Sequence, residues 1–318
     1  MNIGIIGVGT VGQGVVNLLD IEKKVIENRI GEKVNILWLC DVRDIDDRDK
    51  EWKFTTNYKD VIGDDRIDTV LELMGGNTAA FDIAASVIES GKNLITANKH
   101  LLATRGEKLF TLAQKNKVKV FFEAAVAGGI PSVSTLYEGL FPGGIKSIKG
   151  ILNGTANYIL TKMEEGLSYD KALSLAQNEG YAEADPTFDI KGIDTGHKIS
   201  LISYLTWGVL TDFDSIPIEG MDSITLEDIE KAKKEGKRIK LLGEAVKEKD
   251  GISIRVAPAM VSEDDLLYNT SGAYNAIETE GTHLGKTLLY GQGAGMYPTA
   301  SAVISDLYKV ANSKAWKV

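Results

Sequence analysis

The sequence contains almost no cysteine and little histidine. Cys40 is the only cysteine among 318 residues, and three histidines accompany it. A single thiol excludes a disulfide within the chain, and this set is too small for a zinc site built from cysteine and histidine. We therefore expect a protein of the reducing cytoplasm.

A surplus of positive charge and long apolar runs are also missing. Lys and Arg number 36 against 45 Asp and Glu, for a formal charge of -9. This balance is opposite to that of nucleic-acid-binding proteins, whose surfaces are basic. No run of about 18 apolar residues occurs, and no basic segment precedes the apolar stretch at the N-terminus. We expect neither a transmembrane helix nor a signal peptide.

The composition is typical of a globular protein with two domains. Hydrophobic residues make up 43% and charged residues 25% of the chain, and a domain has roughly 150 residues. Small residues interrupt the pattern after Ala124, so we place the boundary near residue 130. The prediction is a first domain of residues 1–130, completed by a helix at 296–318 that packs back on it, and a second domain of residues 131–295.

Strands and helices alternate through the first domain. Short apolar runs predict strands, and segments with a 3.6-residue apolar period predict helices. This alternation is typical of parallel strands joined by right-handed helical crossovers, so we predict an α/β fold with a Rossmann-type, doubly wound parallel sheet. The predicted strands are 2–7, 34–41, 69–73, 93–96 and 119–123, and the predicted helices are 11–27, 79–90 and 107–116.

The second domain mixes helices and strands without this alternation and is predicted to be α+β. An amphipathic segment at 299–311 predicts the last helix. The other predicted elements are strands at 145–152, 239–247 and 252–258 and helices at 155–165, 169–179, 192–207 and 226–235.

Residues 7–12 form the pattern G-x-G-x-x-G between a predicted strand and a predicted helix. In that position the glycines permit a tight turn, close approach of a pyrophosphate and close packing of the helix. The helix N-terminus adds backbone amides that bind phosphate. We predict a dinucleotide site here; the alternative is a turn whose glycines serve packing alone.

The residues expected to contact the ribose leave NAD and NADP equally open. Asp41 ends the second predicted strand, where an acidic side chain binds ribose hydroxyls, although it follows Gly12 by more than the usual 20 or so residues. Arg43 is suited to pair with a 2′-phosphate instead. A third interpretation treats both as solvated loop charges. Cys40 beside them is expected to be a packed residue rather than a nucleophile.

Charged residues are dense in the segment 179–198. Gly180 and Gly192 interrupt regular structure, so the acidic residues before Gly192 are expected on a loop. A helix that begins near Gly192 places Asp194 and Lys198 four residues apart on one face. A surface salt bridge is the simple interpretation of this pair, but the apolar run after Lys198 indicates that the face borders a buried helix.

Lys99 is a second lysine of interest. It closes the run ITANK at 95–99, at the carboxyl end of a predicted parallel strand. Open α/β sheets bind ligands at this edge, so Lys99 is a candidate contact for cofactor or substrate. The alternative is an ordinary surface lysine.

Together these motifs resemble those of the homoserine dehydrogenase family. The matching segments are GVGTVG at 7–12, ELMGG at 72–76, TANK at 96–99, LNGTANYIL at 152–160, GYAEADPTFDIKGIDTGHK at 180–198 and GQGAGMYPTA at 291–300. They extend over nearly the whole chain, and 180–198 is highly specific. The length resembles the short form, without an aspartokinase or C-terminal regulatory domain, so feedback inhibition by threonine through such a domain is not expected.

The resemblance implies reversible, NAD(P)-dependent interconversion of L-homoserine and L-aspartate 4-semialdehyde, a step towards threonine, methionine and isoleucine. It also implies a homodimer that pairs through the second domain. By the same resemblance Lys198 and Lys99 are catalytic, and substrate binds to Gly180, Glu183, Asp189 and Asp194. Cofactor contacts are implied at Gly7, Gly9, Thr10, Val11, Gly12, Asp41, Arg43, Gly75, Gly76, Lys99 and Gly293, and a sodium ion on main-chain oxygens of Glu123, Val126, Gly128 and Ile130.

Two alternatives use the same scaffold. One is a different amino-acid dehydrogenase, and the other is a non-catalytic NAD(P)H sensor, which a fold alone does not exclude. A phosphorylating semialdehyde dehydrogenase forms a thioester and needs a cysteine in its catalytic domain, whereas no cysteine follows Cys40. The three histidines show no metal-ligand spacing, and no G-x-S-x-G motif occurs.

Overall fold

The chain divides into two compact units. The computed structural model describes residues 1–43, 51–76 and 78–312. One unit comprises Met1–Gly129 and the segment from Gly295 onward, and the other comprises Ile130–Ala294. Of the predicted helix at 296–318, residues 313–318 lie outside the described residues.

A six-stranded parallel sheet forms the centre of the first unit. Its order is β3-β2-β1-β4-β5-β6, and every neighbouring pair is parallel. Ile3 and Ile5 on the central strand are fully buried, as expected for a sheet covered on both faces. The Rossmann-type prediction is confirmed. The strands are β1 (Asn2–Ile6), β2 (Asn35–Cys40), β3 (Lys53–Thr55), β4 (Thr69–Glu72), β5 (Asn93–Thr96) and β6 (Val120–Phe121).

The helices of this unit are α1 (Thr10–Ile21), α2 (Lys23–Ile30), α3 (Tyr58–Ile62), α4 (Thr78–Glu89), α5 (Lys99–Asn116) and the last helix (Met296–Asn312). The single helix predicted at 11–27 is wrong, because the chain leaves helical geometry at Glu22. Ile21 and Val25 are 67% and 64% exposed, so the apolar stripe of α1 does not continue into α2. Helix α5 begins eight residues before the predicted start at 107, because the Asn98 side chain caps it by accepting a bond from the Leu101 amide.

The last helix packs against α1 in the first unit. A side chain at Gly14 would meet Met296 at 2.9 Å, so glycine lets the two helices approach closely. Toward the C-terminal end of the last helix, Asp306 accepts the Glu123 amide at 2.7 Å. The Lys309 ammonium lies 2.7 Å from the Glu123 carboxylate and 2.8 Å from that of Asp306. These three side chains are at most 6% exposed, so the contact is a buried ion cluster.

A five-stranded antiparallel sheet, in the order β11-β10-β7-β8-β9, organises the second unit. Its strands are β7 (Ile145–Ile151), β8 (Lys237–Glu248), β9 (Gly251–Ser262), β10 (Tyr274–Gly281) and β11 (Gly285–Gln292). The helices are α6 (Ser132–Ser134), α7 (Gly154–Glu164), α8 (Tyr169–Asn178), α9 (Thr187–Ile190), α10 (Ile193–Trp207) and α11 (Leu226–Lys234). Thus the α+β prediction is confirmed, while β10 and β11 were not predicted.

Helix α10 lies directly on this sheet. A side chain at Gly243 of β8 would meet Thr195 at 3.0 Å and Ile199 at 3.1 Å. The helix is buried from Asp194 through Leu205, which agrees with the nearly uninterrupted apolar sequence after Lys198. Across the three described ranges, no helix is both long and apolar enough to cross a membrane.

Candidate active site

The glycine turn after β1 is shaped by three different requirements. Gly7 has φ 95°, and a side chain there would lie 2.7 Å from the Leu73 carbonyl oxygen. A side chain at Gly12 would lie 2.2 Å from the Gly7 carbonyl oxygen. Beside Gly9 the nearest atom is the Arg43 guanidinium, at 3.8 Å. Gly7 and Gly12 are therefore required by the turn, whereas Gly9 leaves open space where a pyrophosphate approaches.

Helix α1 begins directly after this turn, with Thr10 and Val11 in its first turn. Gly9 occupies the N-cap position and offers no side chain to bind the first amides. Uncapped amides and the helix dipole attract a phosphate group. The turn also lies where the sheet order reverses between β1 and β4, which is the ligand-binding edge of such sheets.

Asp41 and Arg43 form a pair beside the turn. Asp41 accepts the Val8 amide at 2.8 Å and the Arg43 guanidinium at 3.1 and 3.2 Å. Hydrogen bonds from Arg43 lower the pKa of Asp41 to about 2, so this carboxylate is ionised at neutral pH. Its side chain is 7% exposed, whereas that of Arg43 is 67% exposed. The guanidinium is the accessible member of the pair.

A cleft of about 320 Å³ opens over these groups. Gly7, Gly9, Asp41, Arg43 and Gly75 all contribute to its walls. Such a space, bordered by the glycine turn and by a carboxylate–guanidinium pair, fits the adenosine and pyrophosphate of a dinucleotide.

Cys40 also lines this cleft. Burial raises the pKa of its thiol to about 11. The thiolate is therefore scarce near neutrality, and Cys40 is a packed residue rather than a nucleophile.

Lys198 lies in a second cluster, within the other unit. Its Nζ is 2.8 Å from the Asp194 carboxylate and 2.7 Å from the Leu152 carbonyl oxygen. The Lys198 and Asp194 side chains are only 10% and 6% exposed. The i,i+4 pair is therefore partly desolvated, unlike a surface salt bridge.

Asn153 joins further residues to this cluster. Its amide nitrogen donates to Asp189 at 2.6 Å and to Asp194 at 2.8 Å. Its oxygen accepts the Ala156 amide and so caps α7. The prediction that Asp189 lies on a loop is wrong, because it belongs to the short helix α9.

Gly293 reaches the same cluster through Asn275. A side chain at Gly293 would lie 2.0 Å from the Asn275 amide nitrogen, which itself donates to the Leu152 carbonyl at 2.9 Å. Glycine is required here by the close approach of Asn275, whose side chain holds the same carbonyl that orients Lys198.

Two of the predicted substrate residues lie elsewhere on the second unit. Gly180 has φ 78° after α8, and Glu183 is exposed on the following loop. The Glu183 main-chain oxygen accepts from Gln177 at 3.2 Å. The structure therefore brings Asp189, Asp194 and Lys198 together and does not add Glu183 to them.

The chain matches known proteins over almost its whole length. A family model for homoserine dehydrogenase matches residues 131–308, and one for the homoserine dehydrogenase NAD binding domain matches residues 7–123. A homoserine dehydrogenase of Neisseria gonorrhoeae is 44% identical over 314 residues, which cover 98% of this chain and 72% of that protein. The chain belongs to the homoserine dehydrogenase family.

Solved structures of the family share its fold. A homoserine dehydrogenase from Thiobacillus denitrificans has a TM-score of 0.94 and 42% identity, over 98% of this chain and 73% of that one. A hyperthermophilic archaeal homoserine dehydrogenase in complex with NADPH has a TM-score of 0.82 and 25% identity, over 97% of both chains. The resemblance drawn from the sequence motifs is confirmed.

The family resemblance implies a sodium ion on the main chain after β6. Glu123–Ala125 forms a 3₁₀ turn, and Ala127 and Gly128 follow with φ 56° and 49°. The Glu123 carboxylate is paired with Lys309. Within the first unit, this curled and buried main chain, with main-chain oxygens of Glu123, Val126 and Gly128, is compatible with a cation held by carbonyl oxygens. The ion stays a prediction.

Several polar residues of this chain were not singled out from its sequence. Asn153 stands at the start of a helix before Gly-Thr-Ala, which is an N-cap signal. Thr96 and Asn98 flank Ala97 inside TANK, and Glu72 opens ELMGG. Their roles depend on hydrogen bonds between separate motifs. Motif matching therefore included these residues but did not indicate what they bind.

Proposed function

We propose that this chain catalyses the reversible, NAD(P)-dependent interconversion of L-homoserine and L-aspartate 4-semialdehyde. The observation that carries the proposal is the buried Lys198, held by Asp194 and the Leu152 carbonyl. The first unit of the same chain has an open glycine turn beside the ionised Asp41, which is suited to a dinucleotide. Cofactor binding by the first unit and substrate binding by the second are part of the proposal.

Lys198 is proposed as the acid/base. A nicotinamide cofactor held at the glycine turn would supply the hydride chemistry, as acceptor from the alcohol carbon or donor to the aldehyde carbon. During reduction, negative charge develops on the carbonyl oxygen, which the Lys198 ammonium stabilises and then protonates. Asp194 and Leu152 occupy two of its three N–H groups and orient the third toward a substrate oxygen. During oxidation the same nitrogen, as the free amine, accepts the hydroxyl proton.

The substrate carries both an ammonium and a carboxylate. Asp189 and Asp194, joined through Asn153, supply negative charge suited to the ammonium. Glu183, on its exposed loop, and Gly180 are proposed to complete this site when substrate binds. Lys99, the first residue of α5 in the other unit, is proposed to contact cofactor or substrate.

Initial-rate oxidation of L-homoserine, followed by nicotinamide absorbance with NAD and with NADP, tests this function. We expect turnover with L-homoserine and the reverse reaction with L-aspartate 4-semialdehyde. Turnover only with another amino-acid alcohol would identify a different dehydrogenase. Tight NAD(P)H binding without turnover of any such substrate would identify a sensor.

Replacing Arg43 with alanine is expected to raise the KM for NADP by about 10-fold or more and to leave that for NAD nearly unchanged. A lost charge-assisted hydrogen bond to the 2′-phosphate corresponds to about 1.5–3 kcal/mol. Release of Asp41 from Arg43 frees its oxygens for the ribose hydroxyls of NAD. Initial rates with each cofactor measure the ratio.

Arg66 offers a matched control for this change. It pairs with Asp64 two residues earlier, through Nε at 2.9 Å, and its side chain is 61% exposed. The pair therefore repeats the Asp41–Arg43 geometry outside the cleft, and Arg66→Ala should leave both KM values unchanged. Equal loss with NAD and NADP in Arg43→Ala would show that Arg43 acts only by positioning Asp41.

A homodimer formed through the second unit is also proposed. Its strands carry large apolar side chains that are 39–53% exposed, namely Val246, Met260, Tyr274 and Tyr290, and two of these, Tyr274 and Tyr290, stack at 5.1 Å. Exposed apolar side chains are typical of surfaces that pair. The cytoplasmic location stays a prediction from the sequence.

A further inference from the structure

Glu72 is a fully buried carboxyl group at the end of β4. It is 0% exposed. Its Oε1 accepts the Met74 amide at 2.9 Å, and its Oε2 accepts the Thr96 hydroxyl at 2.5 Å. One carboxyl group therefore binds the loop that leaves β4 and the end of the neighbouring strand β5.

The bonds continue from Thr96 through Asn98. The Thr96 hydroxyl accepts the Asn98 amide at 3.0 Å. The Asn98 side chain donates to the Gly76 carbonyl at 2.7 Å and accepts the Leu101 amide at 3.1 Å. Glu72, Thr96 and Asn98 thus form a closed network between the 73–76 loop and the start of α5, where Lys99 lies.

This network borders the dinucleotide cleft without lining it. Leu73, Met74 and Gly75 contribute to the wall of the cleft, and each lies within three residues of Glu72. We propose that Glu72 is a positioning residue that holds the 73–76 loop and the start of α5 in the geometry that receives the dinucleotide. This inference rests on the cofactor binding of the proposed function.

The charge of Glu72 separates this role from simple packing. Burial raises the pKa of its carboxyl to about 7, against the bonds from Thr96 and Met74 that favour the ionised form. The flanking strands β1 and β5 carry no titratable side chain. Helix α4 carries Asp82 and Glu89, and α5 begins at Lys99. A neutral glutamine would fill the same space without the unfavourable buried charge.

The sign of the stability effect follows from this pKa. An acid whose pKa is raised by folding contributes stability below its unfolded value near 4.3 and loses it as the pH rises to about 7. The variant Glu72→Gln lacks this loss. A residue kept for packing alone predicts a glutamine variant with wild-type dinucleotide affinity, because glutamine fills the same space. A positioning residue predicts a folded variant, at least as stable at pH 8, that binds dinucleotide poorly.

Dinucleotide affinity, measured by NADH and NADPH fluorescence titration at pH 8, tests the proposal without depending on turnover. We expect Glu72→Gln and Thr96→Val to raise Kd by about 10-fold, the size of one lost hydrogen bond. Thr96→Ser keeps the hydroxyl and should restore near wild-type affinity. Glu89→Gln, which removes an exposed charge at the end of α4, is the matched charge control.

The pH dependence provides a second readout. Protonation turns one acceptor oxygen of Glu72 into a donor, so wild-type affinity for NADH should fall as the pH drops through about 7, and this inflection should be absent from Glu72→Gln. The pKa of the nearby His100 is lowered by burial and by Lys99, which places its titration below this range.

Three outcomes would overturn the proposal. The first is a folded Glu72→Gln variant with wild-type affinity. The second outcome applies if that variant does not fold: Thr96→Val and Thr96→Ser bind the dinucleotide with equal affinity. The third is a wild type that binds neither dinucleotide, which also overturns the proposed function. A wild type that binds NADH or NADPH but oxidises no homoserine overturns the proposed reaction alone, because the affinity comparison still decides the role of Glu72.

Discussion

Replacing Lys198 with alanine is expected to lower kcat for homoserine oxidation by about 10²- to 10⁴-fold, the usual contribution of a positioned acid or base. The Lys198 ammonium lies 2.8 Å from the Asp194 carboxylate in a largely buried setting. Alanine removes both the proton donor and the positive charge beside the developing oxyanion. The measurement is initial rate with saturating cofactor and homoserine, together with NAD(P)H binding, which should persist.

Lys191 provides the control for this loss. It precedes α10 by two residues and pairs with Asp222 on the surface, with 55% of its side chain exposed. Lys191→Ala should keep wild-type turnover, because an exposed ion pair contributes little. Turnover near the wild-type rate in Lys198→Ala would remove Lys198 from the mechanism and return attention to Lys99.

Replacing Lys309 with methionine is expected to lower the free energy of unfolding by about 3–5 kcal/mol. The ammonium is shared by Glu123 and Asp306, whose side chains are 1% and 0% exposed. Methionine has a similar length but leaves two buried carboxyl groups without their cation. Denaturant unfolding measures the loss, and hydrogen exchange at the Glu123 amide, which donates to Asp306, reports it locally.

Lys237→Met is the matched comparison, since Lys237 pairs with Glu235 at 2.9 Å with both side chains well exposed. It should change stability by less than about 1 kcal/mol. The combined variant Glu123→Gln, Asp306→Asn and Lys309→Met should recover much of the lost stability, because it removes all three charges. A loss below about 1 kcal/mol in Lys309→Met would show that the buried ion cluster contributes little to stability.

Local patterns were enough to predict the parallel sheet and the glycine turn. Five of the sheet's six strands are short apolar runs that were predicted, whereas the edge strand β3 (Lys53–Thr55) was not. The requirements on Gly7 and Gly12 arise within a few residues or at the adjacent strand. The Asp194–Lys198 pair was likewise visible, because an i,i+4 spacing on one helix fixes the distance between the two side chains.

Contacts between distant residues could not be predicted in this way. Nothing near Glu123 in the sequence indicates that Lys309 neutralises it, and nothing near Glu72 indicates that Thr96 binds it. Strand β10 was missed because it carries Glu278, which is buried beside Lys149 of β7, so its sequence shows no simple alternation. In each case the partner that makes a polar residue tolerable lies on another element.

The first unit is assembled from both ends of the described chain, with all of the second unit between them. During translation at roughly 5–20 residues per second, the last helix emerges on the order of ten seconds or more after the sheet strands. Until then the last helix does not cover the α1 surface around Gly14, and the Glu123 carboxylate lacks its ion pair with Lys309. The second unit is continuous in sequence, so it is expected to finish folding first. The first unit, whose synthesis begins earlier, is expected to finish last.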